Sequence, residues 1–219
     1  MIEIEWNNIS LELLPERAMV WRRHNLLLIA DPHFGKAATF RTVGIPIPEQ
    51  TSQDDLERLN SLIERTQSRR IVILGDFLHS RSGRTQTVYQ ALKKWRSSLA
   101  QCQIDLVMGN HDEQAGAPWK SLDIRIHRTS LKIDHISLVH HCQGLQGPEI
   151  GGHLHPSYRL KARASKGFKL PCFWVQRRTI VLPAFGRFTG THNIQKGRND
   201  RLFLTDDTEI RELQGKDRS

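Results

Sequence analysis

Five short clusters of aspartate, asparagine and histidine stand out in this chain of 219 residues, because these side chains can bind divalent cations. The clusters are Asp31-Pro32-His33, Gly75-Asp76-Phe77-Leu78-His79, Gly109-Asn110-His111-Asp112, His140-His141 and Gly152-His153-Leu154-His155. Together they offer carboxylate, amide and imidazole donors without a thiolate, a combination that suits Mn²⁺, Fe or Zn²⁺. We therefore predict a centre for divalent cations.

The set of clusters is more informative than any one of them. An isolated Asp-x-His or His-x-His pair usually lies in an ordinary turn, whereas Gly-Asn-His-Asp directly after an apolar strand is much rarer. All five in one chain, each beside a strand-like run, indicate one shared site rather than unrelated turns.

Three apolar runs end directly before the first three clusters and are predicted to be buried strands. They are Leu26–Ala30, Ile71–Leu74 and Ile104–Met108. Apolar residues at helical spacing occupy the segments between them, at positions 56, 59, 62 and 63 and at positions 88, 92, 95 and 99. Alternating strands and helices predict a parallel sheet, whose ligands bind at the carboxyl ends of the strands.

The second half of the chain is typical of short strands joined by brief turns. We predict strands at Ser121–Ile126, Ser130–Ile133, Ile136–His140, Leu170–Val175, Thr179–Leu182 and Leu202–Thr205. They would form a second, mostly antiparallel or mixed sheet packed on the first. The expected fold is α/β, a two-sheet β-sandwich flanked by helices, in one domain over residues 1–214 with a disordered tail at 215–219. Phe34–Gln50 is predicted to be a long loop bordering the site.

Basic residues outnumber acidic ones, 32 against 23, and the net charge of +9 favours polyanionic partners such as nucleic acid. The excess is densest from Arg159 to Arg178, where Phe168, Phe173 and Trp174 interleave with basic residues. This basic segment is predicted either to track a nucleic-acid backbone and stack bases, or to be a solvated hairpin whose aromatic residues fill the core. We favour the first interpretation. Lys36 and Arg41, in the predicted loop, are expected to extend the same surface.

The sequence offers no sign of membrane insertion or secretion. It has no run of 18 apolar residues, and its first residues, Met1–Trp6, have no basic segment before an apolar run. A cytoplasmic location without a membrane partner is therefore expected.

The ordered clusters resemble the calcineurin-like metallophosphoesterase superfamily, whose motifs D-x-H, G-D-x-x-[DH], G-N-H-[DE], single His and G-H-x-H match between Leu26 and His155. The resemblance implies the four-layer α/β/β/α sandwich of that superfamily. More narrowly, the chain is similar to bacterial ligase-associated DNA damage response endonucleases. That likeness lies in Ala30–Lys36, His140-His141, Gly152–Pro156 and Leu182–Gly186.

The resemblance also implies a role for each clustered residue. Asp31, His33 and His155 would hold one cation, Asn110, His140 and His153 a second, and Asp76 would bridge the two. His111 would contact the phosphate and protonate the leaving oxygen, oriented by Asp112. His140 is preferred to His141 as the ligand, and His79 would contact substrate or pack against a helix. Two Mn²⁺ ions are expected, with Fe, Zn²⁺ or Mg²⁺ as alternatives.

The function implied is a binuclear-metal phosphodiesterase or endonuclease, in which metal-activated water attacks phosphorus in DNA during repair. An alternative is a small-molecule phosphoesterase that acts on nucleotides or cyclic nucleotides. A catalytically silent interaction module is less favoured, because every expected ligand position is filled. By resemblance alone, a DNA ligase or helicase is a possible partner, and the oligomeric state is left open.

Overall fold

Two β-sheets pack face to face in the computed structural model, which describes residues 1–47, 50–99, 101–144, 147–162 and 165–214. This arrangement confirms the predicted α/β class and the two-sheet sandwich. The tail at 215–219, predicted to be disordered, lies outside the described residues.

Within the part of the chain that the structure describes, the first sheet has seven strands in chain order. They are β1 (Ile2–Trp6), β2 (Ile9–Leu14), β3 (Ala18–Trp21), β4 (Leu26–Ile29), β5 (Arg70–Leu74), β6 (Gln103–Val107) and β7 (Arg125–His127). Strands β1 to β4 are antiparallel, whereas β4 to β7 are parallel, as predicted for the segments that precede the first three clusters. The strand predicted at Ser121–Ile126 is wrong in its first half. There a 3-10 turn buries Leu122, and Asp123 is left-handed with φ of 47°.

In the described residues four α-helices accompany the first sheet: α1 (Lys36–Thr42), α2 (Gln50–Thr66), α3 (Gln86–Ser98) and α4 (Asn110–Ala115). The predicted helices α2 and α3 are confirmed, and they bury Leu59 and Leu92 against the sheet. The prediction of a continuous loop over Phe34–Gln50 is wrong, because α1 forms there and buries Ala37 and Ala38. None of the helices in the described residues has the length and apolar character needed to cross a membrane.

The second sheet is mixed, as predicted, and contains the rest of the strands. They are β8 (Ser130–Ile133), β9 (Ile136–Val139), β10 (Glu149–Gly151), β11 (Pro156–Ala162), β12 (Ser165–Val175), β13 (Thr179–Val181), β14 (His192–Asn193), β15 (Arg201–Thr205) and β16 (Ile210–Glu212). Its order is β14-β11-β12-β13-β10-β9-β8, with β15 pairing to β12 and β16 to β15.

Side-chain alternation along the strands builds the core. In β4, Leu26 and Leu28 face the second sheet, while Leu27 and Ile29 face the helices. Phe173 is fully buried in the layer between the sheets. In the described part of the chain the helices pack only on the first sheet, and the outer face of the second sheet carries a smaller apolar cluster.

Strand direction decides where the five clusters meet. Strands β4, β5 and β6 are parallel, so their carboxyl ends lie side by side at the same end of the first sheet. The residues that follow Ile29, Leu74 and Val107 emerge there. Strands β9, β10 and β13 are parallel to one another in the second sheet. The backbone N–H of Phe185, beyond β13, donates to the Ala30 carbonyl, just beyond β4. The carboxyl ends of the parallel strands in the two sheets therefore lie next to each other.

Candidate metal centre

Two groups of donor atoms lie beyond the carboxyl ends of these parallel strands. Within each group the ligand atoms all lie within 4.8 Å of one another. The first group consists of Asp31, His33, Asp76 and His155, and the second of Asp76, His140 and His153. Asn110 adjoins the second group, because its Oδ1 lies 3.1 Å from His140 Nε2. The structure therefore brings together the residues of both predicted ligand sets, and Asp76 is common to them.

The donor atoms of the first group converge. His33 Nε2 lies 3.4 Å from His155 Nε2 and 3.7 Å from Asp76 Oδ2. Asp31 Oδ1 lies 3.7 Å from His155 Nε2, is buried, and accepts no hydrogen bond from the described residues. A buried carboxylate oxygen without a partner is costly, and a cation would satisfy it. The donor types and this oxygen therefore fit a divalent cation.

Backbone carbonyl groups fix the orientation of two imidazoles. His140 Nδ1 donates to the Leu74 carbonyl and His155 Nδ1 donates to the Gly190 carbonyl, each at 3.0 Å. A carbonyl only accepts, so each bond assigns the proton to Nδ1 and leaves the Nε2 lone pair for the donor group. The two rings are thus preorganised as Nε2 ligands.

Burial governs the ionisation of the group. Burial, followed by the neighbouring His155 and His111, holds the pKa of His33 well below its usual range. Burial also lowers the pKa of His155, but the interaction with the nearby Asp31 carboxylate outweighs burial and raises that pKa overall. Burial raises the pKa of Asp76. A buried neutral imidazole beside carboxylates is ready to bind a cation, whose charge would favour ionised Asp76.

The backbone is strained where the donors lie. Left-handed φ values between 47° and 70° occur at Asp31, His33, Asp76, His153 and His155. Residues other than glycine rarely adopt this conformation, and such strain concentrates at functional sites. The strain therefore supports a functional role for these donor residues.

Two motif glycines allow the carboxylates to approach the backbone. A Cβ at Gly152 would overlap Asp31 Oδ2, and a Cβ at Gly109 would overlap Asp76 Oδ1. Asp31 Oδ2 uses this space to accept a hydrogen bond from the His153 backbone N–H at 2.8 Å. These glycines therefore leave the space that the two central carboxylates occupy.

Replacing Gly152 by alanine is expected to weaken Mn²⁺ binding by about tenfold or more, because the new methyl group displaces Asp31. Isothermal titration of metal-stripped protein with Mn²⁺ measures the effect. Gly190→Ala is the matched control, because a Cβ there meets nothing within 4 Å. Equal affinities of the two variants for Mn²⁺ would contradict the prediction.

A third group of donors, His33, His79 and His111, adjoins the first. His79 Nδ1 lies 3.3 Å from His33 Nδ1, and the His79 ring stacks on that of His111 with centroids 4.9 Å apart. Burial lowers the pKa of His79 to about 4, so this imidazole is neutral at pH 7. His79 therefore lies at the edge of the centre, and its predicted contact with substrate stays a prediction.

The role predicted for Asp112, orienting His111, is wrong. The two Asp112 carboxylate oxygens accept hydrogen bonds from the backbone N–H groups of Leu78 and Gly109, at 2.9 and 3.1 Å. The His79 carbonyl accepts the proton of His111 Nδ1 at 2.7 Å instead. Asp112 thus caps α4 and secures the Leu78 backbone, with burial raising its pKa to about 6.

The remaining predicted residues lie at different depths. Lys36, the first residue of α1, is half-buried, and its charge contributes to the lowered pKa values of His33 and His79. Arg41 donates from Nη1 to the Ile47 carbonyl at 3.0 Å. His141 is exposed and lies outside the donor groups, although its ring centroid is 4.7 Å from that of His153.

The basic segment does not form one continuous surface. Phe173 is fully buried between the sheets, and Trp174 donates from Nε1 to Asp200 Oδ2 at 2.8 Å. Arg177 and Arg178 join β12 to β13 at the end of β13 remote from the centre. The prediction that the whole segment follows a nucleic-acid backbone is therefore wrong for these four residues, because strand alternation and direction separate them from the site.

The first part of the basic segment lies in the hairpin of β11 and β12. This hairpin belongs to the second sheet and extends beyond the end of the neighbouring strand β13. Strand β12 pairs with β13 only at Trp174 and Val175, and Trp174 faces Val181 at the end of β13 nearer the centre. The preceding residues of β12 pair with β11 through Pro171 opposite Ser157. Because β12 runs antiparallel to β13, this hairpin projects on the side where the donor groups lie.

The sequence assigns no role to the segment from Pro183 to Gly190 beyond the resemblance carried by Leu182–Gly186. In the structure the Phe185 N–H donates to the Ala30 carbonyl at 2.7 Å, and the Gly190 carbonyl accepts from His155. The sequence gives no periodic signal for such contacts, because they depend on how the two sheets adjoin.

Two packed sheets whose strand ends converge on buried aspartate and histidine donors define the class of the protein, a metallophosphoesterase. The comparisons with known proteins agree with this class. The crystal structure of the Pseudomonas putida nuclease MPE is similar over 97% of this chain and 99% of that chain, at 34% identity and a TM-score of 0.84. The chain therefore belongs to the same family as this nuclease, and the predicted phosphoesterase class is confirmed.

Two other solved structures match at lower similarity. A protein of unknown function from Aquifex aeolicus is 18% identical over 64% of this chain and 81% of that chain, with a TM-score of 0.42. The Escherichia coli phosphoesterase YfcE is 14% identical over 86% of this chain and 97% of that chain, with a TM-score of 0.41. No protein-family model and no curated protein matches the sequence.

Proposed function

We propose that the chain is a binuclear-metal phosphodiesterase that cleaves DNA. The observation that carries the proposal is the pair of donor groups sharing the Asp76 carboxylate. In this assignment Asp31, His33 and His155 would hold one cation, Asn110, His140 and His153 would hold the other, and Asp76 would contact both. Carboxylate, amide and imidazole donors suit Mn²⁺, Fe or Zn²⁺, and the resemblance of the sequence motifs favours Mn²⁺.

The chain's own side chains would transfer the proton and contact the substrate. Bound cations would supply the positive charge that stabilises a phosphoryl transition state and would make a water molecule more acidic. His111 would protonate the leaving oxygen from Nε2, because its Nδ1 is engaged by the His79 carbonyl. Lys36 and His79 would contact substrate phosphate groups beside the scissile bond. No covalent protein intermediate is required.

Three observations support nucleic acid as the substrate class. The net charge is +9, Lys36 adjoins the donor groups, and the β11–β12 hairpin projects on the same side. The relative at 34% identity is a nuclease by name. A role in repair, and a ligase or helicase partner, rest on the resemblance of the sequence motifs.

Hydrolysis assays on metal-stripped protein reloaded with Mn²⁺ test the proposal. We expect cleavage of single-stranded DNA that falls steeply as salt rises, because binding of the phosphate backbone releases counterions. Duplex DNA, a cyclic nucleotide and a phosphomonoester are the comparison substrates. Turnover of the cyclic nucleotide alone would favour the small-molecule phosphoesterase, and full turnover by stripped protein would exclude a metal-dependent reaction.

Replacing Lys36 by alanine is expected to raise KM for single-stranded DNA by about tenfold, because a charged contact to phosphate is lost. The salt dependence of KM should become shallower. Arg177→Ala is the matched control, since Arg177 lies at the remote end of β13. Steady-state kinetics at several salt concentrations measure both variants, and an equal rise in KM for both would contradict this role of Lys36.

A further inference from the structure

An aromatic side chain lies beside the donor groups without a role in the mechanism above. Phe188 is 37% exposed, one of the few large apolar side chains on the described surface. It lines a small cleft together with His33 and Lys36. An aromatic ring, a candidate ligand residue and a cationic side chain therefore lie together beside the donor groups.

The position of Phe188 is fixed from two directions. Its chain segment is tied to the first sheet by the hydrogen bond from the Phe185 N–H to the Ala30 carbonyl. Its ring makes an edge-to-face contact with Phe40 of α1, with centroids 5.5 Å apart and planes at 79°. The ring is therefore held in place while part of its surface stays open.

We propose that Phe188 stacks on the base of a nucleotide adjacent to the scissile phosphodiester and so selects unpaired nucleotides. The inference rests on the proposed function and deepens it. A nucleotide combines an anionic phosphate with a flat base, and Lys36 lies beside the exposed part of the Phe188 ring. The cleft between them is too small to admit a base, so the base would lie on the open face of the ring. Asp55 also lines the cleft, but its carboxylate is buried and paired with Arg58. Stacking on an aromatic side chain accepts any base, provided that the base is free of its duplex neighbours.

The selectivity follows from the geometry of the substrate. In a duplex each base is stacked between its neighbours and paired, so its faces are closed to a protein side chain. In a single strand or a frayed end, the faces are accessible. Phe188 therefore favours single-stranded or frayed DNA without reading its sequence.

Two matched oligonucleotides test the inference. One is a short thymidine strand and the other has the same length and phosphates but carries abasic residues in place of the nucleotides at its centre. Wild-type protein with Mn²⁺ is expected to cleave the thymidine strand with a kcat/KM about tenfold or more above that of the abasic strand. Phe188→Ala should reduce this ratio towards one, and Phe188→Trp should preserve it because the aromatic face is retained.

Ile126→Ala is the control, since Ile126 is an exposed apolar residue on the edge strand β7 and should keep the wild-type ratio. If wild-type protein cleaves neither strand, the proposed function fails and the stacking inference falls with it. If wild-type protein cleaves both strands and Phe188→Ala retains the wild-type ratio, the stacking inference alone is overturned. A ratio near one in wild-type protein has the same consequence.

Discussion

Asp76→Asn is expected to lower kcat/KM for a phosphodiester by about a thousandfold or more and to remove bound metal. The Asp76 carboxylate faces both donor groups, with Oδ2 3.7 Å from His33 Nε2 and Oδ1 3.6 Å from His140 Nε2. Asparagine keeps the shape and can still accept the hydrogen bond that Oδ1 receives from the His111 N–H. The substitution therefore removes the charge shared by the two groups while preserving the local fold.

Metal content by mass spectrometry and hydrolysis of an aryl phosphodiester measure the two effects separately. Asp105→Asn is the matched control. Asp105 is equally buried, but it pairs with Arg70 and His127 within the first sheet. We expect the control to lower the free energy of unfolding and to keep its metal. Retention of two cations and turnover within tenfold of wild type by Asp76→Asn would disprove the bridging role.

The sequence predicts the central layer of the fold because its signals there are strong. The runs before Asp31 and Gly75 are continuously apolar, and the run before Gly109 is interrupted only by Asp105. Such runs are typical of parallel strands buried on both faces. Helix α1 gives no comparable signal. It spans seven residues, Lys36–Thr42, and a helix this short depends on packing, here of Ala37 and Ala38, rather than on propensity.

The basic segment shows why composition alone misleads. Successive residues of a strand point to opposite faces, so Phe173 enters the core whereas Trp174 belongs to the outer cluster. Only the register of β12 decides which of the two is buried between the sheets. Composition alone places both aromatic residues on one surface.

The candidate centre likewise has features that the sequence predicts and features that it does not. The donor types and the strand ends are visible in the sequence, so the convergence of Asp31, Asp76 and Asn110 can be expected. The left-handed backbone at His153 and His155 cannot be expected from the sequence, because only tertiary contacts stabilise it. The capping role of Asp112 could have been predicted, since it stands at the third helical position after Gly109, where a carboxylate caps the helix.

His111→Ala is expected to slow turnover of a phosphodiester with an alkoxide leaving group by about 100-fold or more while both cations stay bound. The His111 Nδ1 proton is engaged by the His79 carbonyl at 2.7 Å, and the ring stacks on His79. Nε2 is therefore the nitrogen available to protonate a leaving oxygen. A p-nitrophenolate leaves without a proton, so the variant should lose much less activity on that substrate.

The competing role for His111 is metal binding, because it also forms a donor group with His33 and His79. The two roles differ in what the variant retains. General acid catalysis predicts full metal content and a rate that depends more steeply on the leaving-group pKa across a series of phosphodiesters. Metal binding predicts loss of metal and an equal loss of rate on every substrate. His127→Ala, whose histidine pairs with Asp105 in the first sheet, should match wild type in both measurements.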